Sequence, residues 1–154
     1  MALIIKLEIH RVCEDGAIFI KTWFLPLAKS PYDHVFLCKS AADLRRYICV
    51  AYGPESIETR LHSRLALDDY TTAFGVASEW LNPADLNRLG LTLNFALFYQ
   101  EVLGQDQHAC HLAKFGFDEA VTFIGASPEH DVPEDSFLAL SMLKEHMISW
   151  TSLY

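Results

Sequence analysis

The densest set of metal-binding and proton-handling side chains in the sequence is His108-Ala109-Cys110-His111. Imidazole and thiolate are the ligands zinc prefers, and His108 and His111, three residues apart, share a face of any helix that carries them. A closed structural zinc site needs four ligands, however, and no second His or Cys pair is spaced to complete one. The other chemistry these residues offer is a thiol nucleophile, with Cys110 activated by a histidine that folding brings near, such as His34 or His62. Nothing around Cys110 marks an oxyanion hole or a helix N-terminus that would lower the thiol pKa. The plainer reading is a helix with two surface histidines and one buried cysteine. Cys110, His108 and His111 stand as the alternative catalytic set of a small Cys/His or metal-assisted hydrolase; the first reading assigns no catalytic residue, no metal and no cofactor.

Adjacent carboxylates occur at Glu14-Asp15, Asp68-Asp69, Asp118-Glu119 and Glu134-Asp135. Paired-acid hydrolysis needs two carboxylates across a cleft, whereas neighbours in sequence point apart. Glu134-Asp135, and by the same logic Asp68-Asp69, suit the first turn of a helix, where the macrodipole favours acids. The seven glycines form neither a dinucleotide fingerprint nor a phosphate loop, which excludes the common nucleotide-binding enzymes. Arg45, Arg46, Arg60 and Arg64 make at most a modest basic stripe balanced by Glu55 and Glu58, so no direct nucleic-acid binding is expected.

Charge is the remaining signal. The net charge is −8. Residues 1–77 balance nine acids with nine bases, while residues 78–154 carry eleven acids and three bases, so the whole excess lies in the second half. Asp106, Asp118, Glu119, Glu129, Asp131, Glu134 and Asp135 all fall where exposure is expected, with Phe117 and other aromatics (Tyr99, Phe115, Trp150, Tyr154) among or near them. Negative charge steers a basic partner and aromatics anchor it. The expectation is a non-enzymatic, acidic protein-binding inhibitor of a basic toxin or nucleic-acid-handling effector. Immunity proteins and nucleic-acid-mimicking phage anti-defence proteins, anti-CRISPRs included, work by this physics. A structural or adaptor subunit using an open strand edge is a further alternative.

The elements that must position these residues read as α+β. Leu3, Ile5, Leu7 and Ile9 alternate with polar residues, predicting a strand; Glu14-Asp15-Gly16 offers a turn, and Ala17–Leu25 a returning strand ended by Pro26. His34–Cys38 suggests a short third strand. Ser40 then opens a helix with Leu44, Tyr47, Ile48 and Ala51 on one face, closed by Gly53-Pro54. Ile57, Leu61 and Leu65 predict a second helix over 55–67, with a weaker one over 68–81. Asn82-Pro83-Ala84-Asp85 starts a helix apolar on most sides, expected at the centre. A helical pattern over 105–124 is interrupted at Phe115-Gly116-Phe117-Asp118, leaving Val121–Ile124 open to a strand. Val132-Pro133-Glu134-Asp135 opens a final helix with Phe137, Leu140, Leu143, Met147 and Ile148 inward. The sum is a small N-terminal antiparallel sheet (a hairpin plus a short third strand, residues 1–39) followed by a bundle of about five helices packed on it (40–154), as one domain over 1–154.

Composition supports a globular chain: 51% hydrophobic and 21% charged residues. At 154 residues a domain buries roughly 68–70% of its unfolded surface and folds without staples. The opening residues lack the basic start of a secretory leader, and no stretch approaches the ~20 apolar residues of a membrane span. Four cysteines without close pairing read as buried thiols in a cytoplasmic protein.

Overall fold

The computed structural model describes residues 1–126, 129 and 131–152, and every regular element among them is helical. The order is α1 (Leu3–Phe19), a π-helical stretch (Ile20–Phe24), a 3-10 turn (Leu25–Leu27), α2 (Pro31–Tyr52), α3 (Ile57–Trp80), α4 (Leu86–Glu101), α5 (Asp106–Ala126) and α6 (Glu134–Thr151). The expected sheet over 1–39 is therefore overturned, and with it the α+β class and the open strand edge. Each proposed strand is a helix: Leu3–Ile9 lies in α1, Ala17–Leu25 runs from its end through the π-helical stretch, and His34–Cys38 lies in α2.

The reason lies in which face of each helix packs. In α1 only Cys13 and Ala17 are buried, while Leu3, Ile5 and Leu7 stay exposed. The alternation that suggested a strand belongs to residues outside the contact with α2. In α3 the same thing happens: Ile57 and Leu61 are exposed, and the packed face is Ala66, Tyr70, Ala73 and Ala77. These recur at i, i+4, i+7 and i+11, so they form one narrow stripe of mostly small residues that lets α2 and α4 approach closely.

Helix ends follow local chemistry. Ser30 caps α2 by accepting from the Asp33 amide at 3.0 Å, with Pro31 in the first turn. Ser40, expected to cap a helix there, sits inside α2 and its hydroxyl donates to the Phe36 carbonyl at 2.7 Å. Gly53 ends α2 at φ +88°, as the Gly-Pro pair implied. Ser56 caps α3, which runs unbroken through Gly75 where two helices were expected. The cap of α4 is Asp85, accepting from the Asn87 and Arg88 amides at 2.8 and 3.2 Å.

α4 joins the two halves of the molecule. One side packs on α2 and α3 through Leu91, Phe95 and Phe98, stacked around Tyr70; the other meets α5 and α6 through Leu89, Leu93 and Ala96. The expectation of a central buried α4 agrees with this arrangement. α5 is continuous through the supposed break, because Gly116 is where it crosses α4: a Cβ there would lie 2.6 Å from Thr92 Cγ2. Val121–Ile124 is helical. α6 begins at Glu134 and buries Leu140, Leu143 and Trp150, while Phe137 and Ile148, expected inward, are exposed. Among the described residues, no helix is long and apolar enough to cross a membrane.

Candidate functional site: the polar face between α2 and α4

On α2, Lys39, Asp43, Arg46, Tyr47 and Val50 fall at i, i+4, i+7, i+8 and i+11, one face. On α4, Gly90, Asn94 and Glu101 do the same. Gly90 leaves room for the Lys39 side chain, whose Cε lies 3.8 Å from the position a Cβ would take.

Asp43 is the hub. Its buried carboxylate accepts from Lys39 Nζ at 2.9 Å, Asn94 Nδ2 at 2.9 Å and the Tyr70 hydroxyl at 2.5 Å. Burial first, then the Asp43 charge, pushes the Tyr70 phenol pKa up, so the phenol stays protonated and keeps donating. Two partly exposed donors, Lys39 and Asn94, are thereby held in place by a fully occupied carboxylate.

Arg46 lies one turn further along. Its side chain is only 9% exposed, and Nη1 donates to Glu101 Oε2 at 2.8 Å. Its guanidinium carbon sits 5.0 Å from the centre of the exposed Tyr47 ring, a cation–π contact. Arg46 Nε is buried without a hydrogen-bond partner among the described residues. Burial works against the Arg46 charge, but Tyr70, Asp43 and Glu101 outweigh it and raise the pKa. The result is a permanent cation, a lysine, an amide and an exposed phenol on one face. Cationic and neutral donors of this kind suit a multivalent oxyanion, and arginine in particular matches phosphate geometry. A neighbouring set, with Asp69 taking Lys21 Nζ and approaching Arg45 Nε at 3.5 Å, ties α3 to the π-helical stretch and α2.

The residues singled out from sequence fall elsewhere. Asp118 pairs with Lys114 on exposed α5, and Glu119 accepts from the buried Arg88 at 2.8 Å, so both carry local partners. Asp106 opens α5, Glu134 and Asp135 form the first turn of α6, and Glu129 and Asp131 lie in the segment between those helices. Phe117 packs against the α4–α5–α6 core. Tyr154, one of the supposed anchors, lies outside the described residues.

The alternative catalytic set does not assemble. Exposed His108 stacks on Tyr99 with ring centroids 5.6 Å apart and lines an open cavity with His111, while Cys110 faces a different cavity beside Trp150. Neither proposed partner reaches Cys110: His34 Nδ1 is 3.7 Å from Cys38 Sγ, and His62 lies against His10 and Glu14. All four cysteines are free thiols, and burial pushes Cys49 up to about 11.

The face between α2 and α4 was missed because Arg46 was read as part of a solvated, charge-balanced stripe and Tyr47 as part of an apolar helix face. The i, i+7 spacing of Lys39 and Arg46 with Tyr47 adjacent was visible in the sequence. Their convergence with Asn94 and Glu101, about fifty residues away, was not.

Comparison with known proteins decides between these readings. The chain is 34% identical over 149 residues to 14-3-3 protein beta/alpha-A of Xenopus laevis, covering 96% of this chain and 59% of that protein. The same figures hold for human 14-3-3 protein beta/alpha. For 14-3-3 protein homolog 2 of Schistosoma mansoni the identity is again 34%, covering 96% of this chain and 68% of that protein. The chain thus spans about three-fifths of the length of the vertebrate relatives it matches. These matches overturn the expected immunity-protein or anti-CRISPR inhibitor with a basic toxin or effector as partner, and also the hydrolase. The family is non-enzymatic, which agrees with the preference for a protein without catalysis. The sequence model of the 14-3-3 protein family matches residues 2–151, and this chain, with six α-helices among its described residues, belongs to that family.

Proposed function

We propose that the chain is a phosphoprotein-binding adaptor, the role its family plays, and that the phosphate contact on this chain is the face formed by Lys39, Arg46, Tyr47 and Asn94. The observation that carries this reading is Arg46: a guanidinium held nearly buried by Glu101 at 2.8 Å, one turn from Asp43, which fixes a lysine and an asparagine in place. Binding needs little reordering of these side chains, so most of the charge-assisted hydrogen-bond energy is available to the ligand. The overall charge of −8 disfavours anions at a distance, which makes the local, oriented donors decisive for selectivity. A cytoplasmic setting and a single folding unit over 1–154 belong to the same reading. Family members typically form dimers, and the uncovered apolar surface of α1 supports an assembly that buries it.

The test is fluorescence polarisation with a degenerate phosphoserine peptide library and its unphosphorylated counterpart. The phosphorylated library binds and the counterpart does not. Arg46→Ala weakens binding at least about tenfold, the loss of one charge-assisted contact. Equal binding of both libraries would sink the proposal.

A further inference from the structure

Between α1 and α3 lies a second convergence of chemically capable side chains. His10 and Glu14 are four residues apart on α1, with His10 Nε2 3.2 Å from Glu14 Oε2. His62, from α3, brings its Nε2 to 3.8 Å from Glu14 Oε1, and its ring meets that of His10 edge-on at 5.2 Å. One ligand atom from each of the three residues lies within 4.8 Å of the others.

We propose that His10, Glu14 and His62 form a divalent-metal site that takes zinc and ties α1 to α3. Three features point to a metal. First, His62 is 1% exposed, yet neither of its ring nitrogens has a hydrogen-bond partner among the described residues. An unsatisfied buried polar group costs about 1–3 kcal/mol, and a metal ion on Nε2 removes half of that deficit. Secondly, the donor set of two imidazoles and one carboxylate is one zinc takes readily, leaving a fourth position for water. With metal–ligand bonds of about 2.0–2.2 Å, a tetrahedral site spaces its ligand atoms by about 3.3 Å. The His10–Glu14 edge already has that length, and with all three ligand atoms within 4.8 Å of one another, His62 has to close by at most about 1.5 Å. Thirdly, His10 Nδ1 lies 3.3 Å from the Tyr52 hydroxyl, the outer hydrogen bond that fixes a ligating imidazole and directs Nε2 at the ion.

Access and charge agree with the geometry. His10 and Glu14 are partly exposed, so an ion has a route in from solvent. Burial, with Glu14 and Glu58 opposing it and His10 and Arg45 reinforcing it, lowers the His62 pKa and favours the neutral imidazole a metal requires. The mechanical consequence is specific. α1 packs on α2 but makes no close backbone approach to α3. The ion would give the most exposed helix of the molecule a direct tie to α3.

The experiment is zinc titration of the reduced chain in competition with a chromophoric chelator, alongside thermal unfolding and cobalt substitution. The expected results are one zinc per chain, a higher unfolding midpoint with metal, and a cobalt spectrum without the thiolate charge-transfer band. His10→Ala and Glu14→Gln, both at partly exposed positions that leave the fold intact, each weaken zinc at least tenfold. His62→Gln is the third variant, and the first two keep the test decisive if a change at this buried residue unfolds the chain. Absence of stoichiometric zinc, an affinity unchanged in either His10→Ala or Glu14→Gln, or a thiolate band with cobalt would overturn the proposal.

Discussion

α1 and α4 are nearly the same length, 17 and 16 residues, and both are rich in large apolar side chains. Their environments differ completely. α4 buries nine residues, including Leu89, Leu91, Leu93, Phe95 and Phe98, between two packed layers. α1 buries only Cys13 and Ala17, and Ile4 is 75% exposed. Hydrophobicity therefore says that a segment has surface to hide; neighbours decide whether it is hidden. Along α4 neighbours on both sides cover the apolar residues. Along α1 the main packed neighbour is α2, and the buried contact is made through the small residues Cys13 and Ala17.

This contrast is open to direct attack. The largest effect belongs to Phe98→Ala. Phe98 is fully buried against Tyr70 and Phe95, with ring centroids 5.3 and 6.4 Å away, so its loss costs about 3–5 kcal/mol in urea unfolding. A change within experimental error would show that α4 is not the centre of the core.

Two glycines sharpen the comparison at intermediate scale. Gly116→Ala places a methyl group 2.6 Å from Thr92 Cγ2, at the close crossing of α5 on α4, and destabilises by about 1–3 kcal/mol. Gly16→Ala in α1 meets only the end of the Leu44 side chain, at 3.0 Å, which has room to turn. There the gain in helix propensity offsets the crowding, and stability changes by less than about 1 kcal/mol. If the two substitutions cost the same, α1 packs as tightly as α5 and the contrast fails.

The smallest expected effect is Ile4→Ala, within about 0.5 kcal/mol in the isolated chain because no packed surface is lost. A cost above 2 kcal/mol would mean that α1 is covered in solution, and light scattering of both forms would then report whether a second chain provides the cover.

Legibility followed the same division. Features set by a few adjacent residues were readable: the Gly53-Pro54 stop, the acidic first turn of α6 at Glu134-Asp135, and the apolar run of α4. Features set by which face packs were misread. Leu3, Ile5 and Leu7 imitate a strand because α1 leaves them in solvent, and Ile57 and Leu61 imitate a core stripe while Ala66, Tyr70 and Ala73 form the real one. A small-residue stripe carries almost no hydrophobic signal, because its value lies in the close approach it permits. Gly116 was taken as a break for the same reason: the sequence presents a missing side chain, and only the Thr92 methyl group opposite explains it. The candidate site shows a parallel split. Lys39, Arg46 and Tyr47 share a readable helical face, and His10 with Glu14 has a readable ligand spacing, yet each set was passed over in favour of acids that are merely numerous.

The sequence by itself determined the charge, the Gly53-Pro54 stop, the acidic first turn of α6 and the supply of donors and ligands. Tertiary structure alone decided that the N-terminal segment is helical, that Asn94 and Glu101 of α4 meet Asp43 and Arg46 of α2, and that His62 reaches a pair of residues about fifty positions earlier. The physical reason is range: caps and turns are satisfied by atoms within four residues, whereas the partner of a buried charge or an orphaned imidazole is chosen by how whole helices pack.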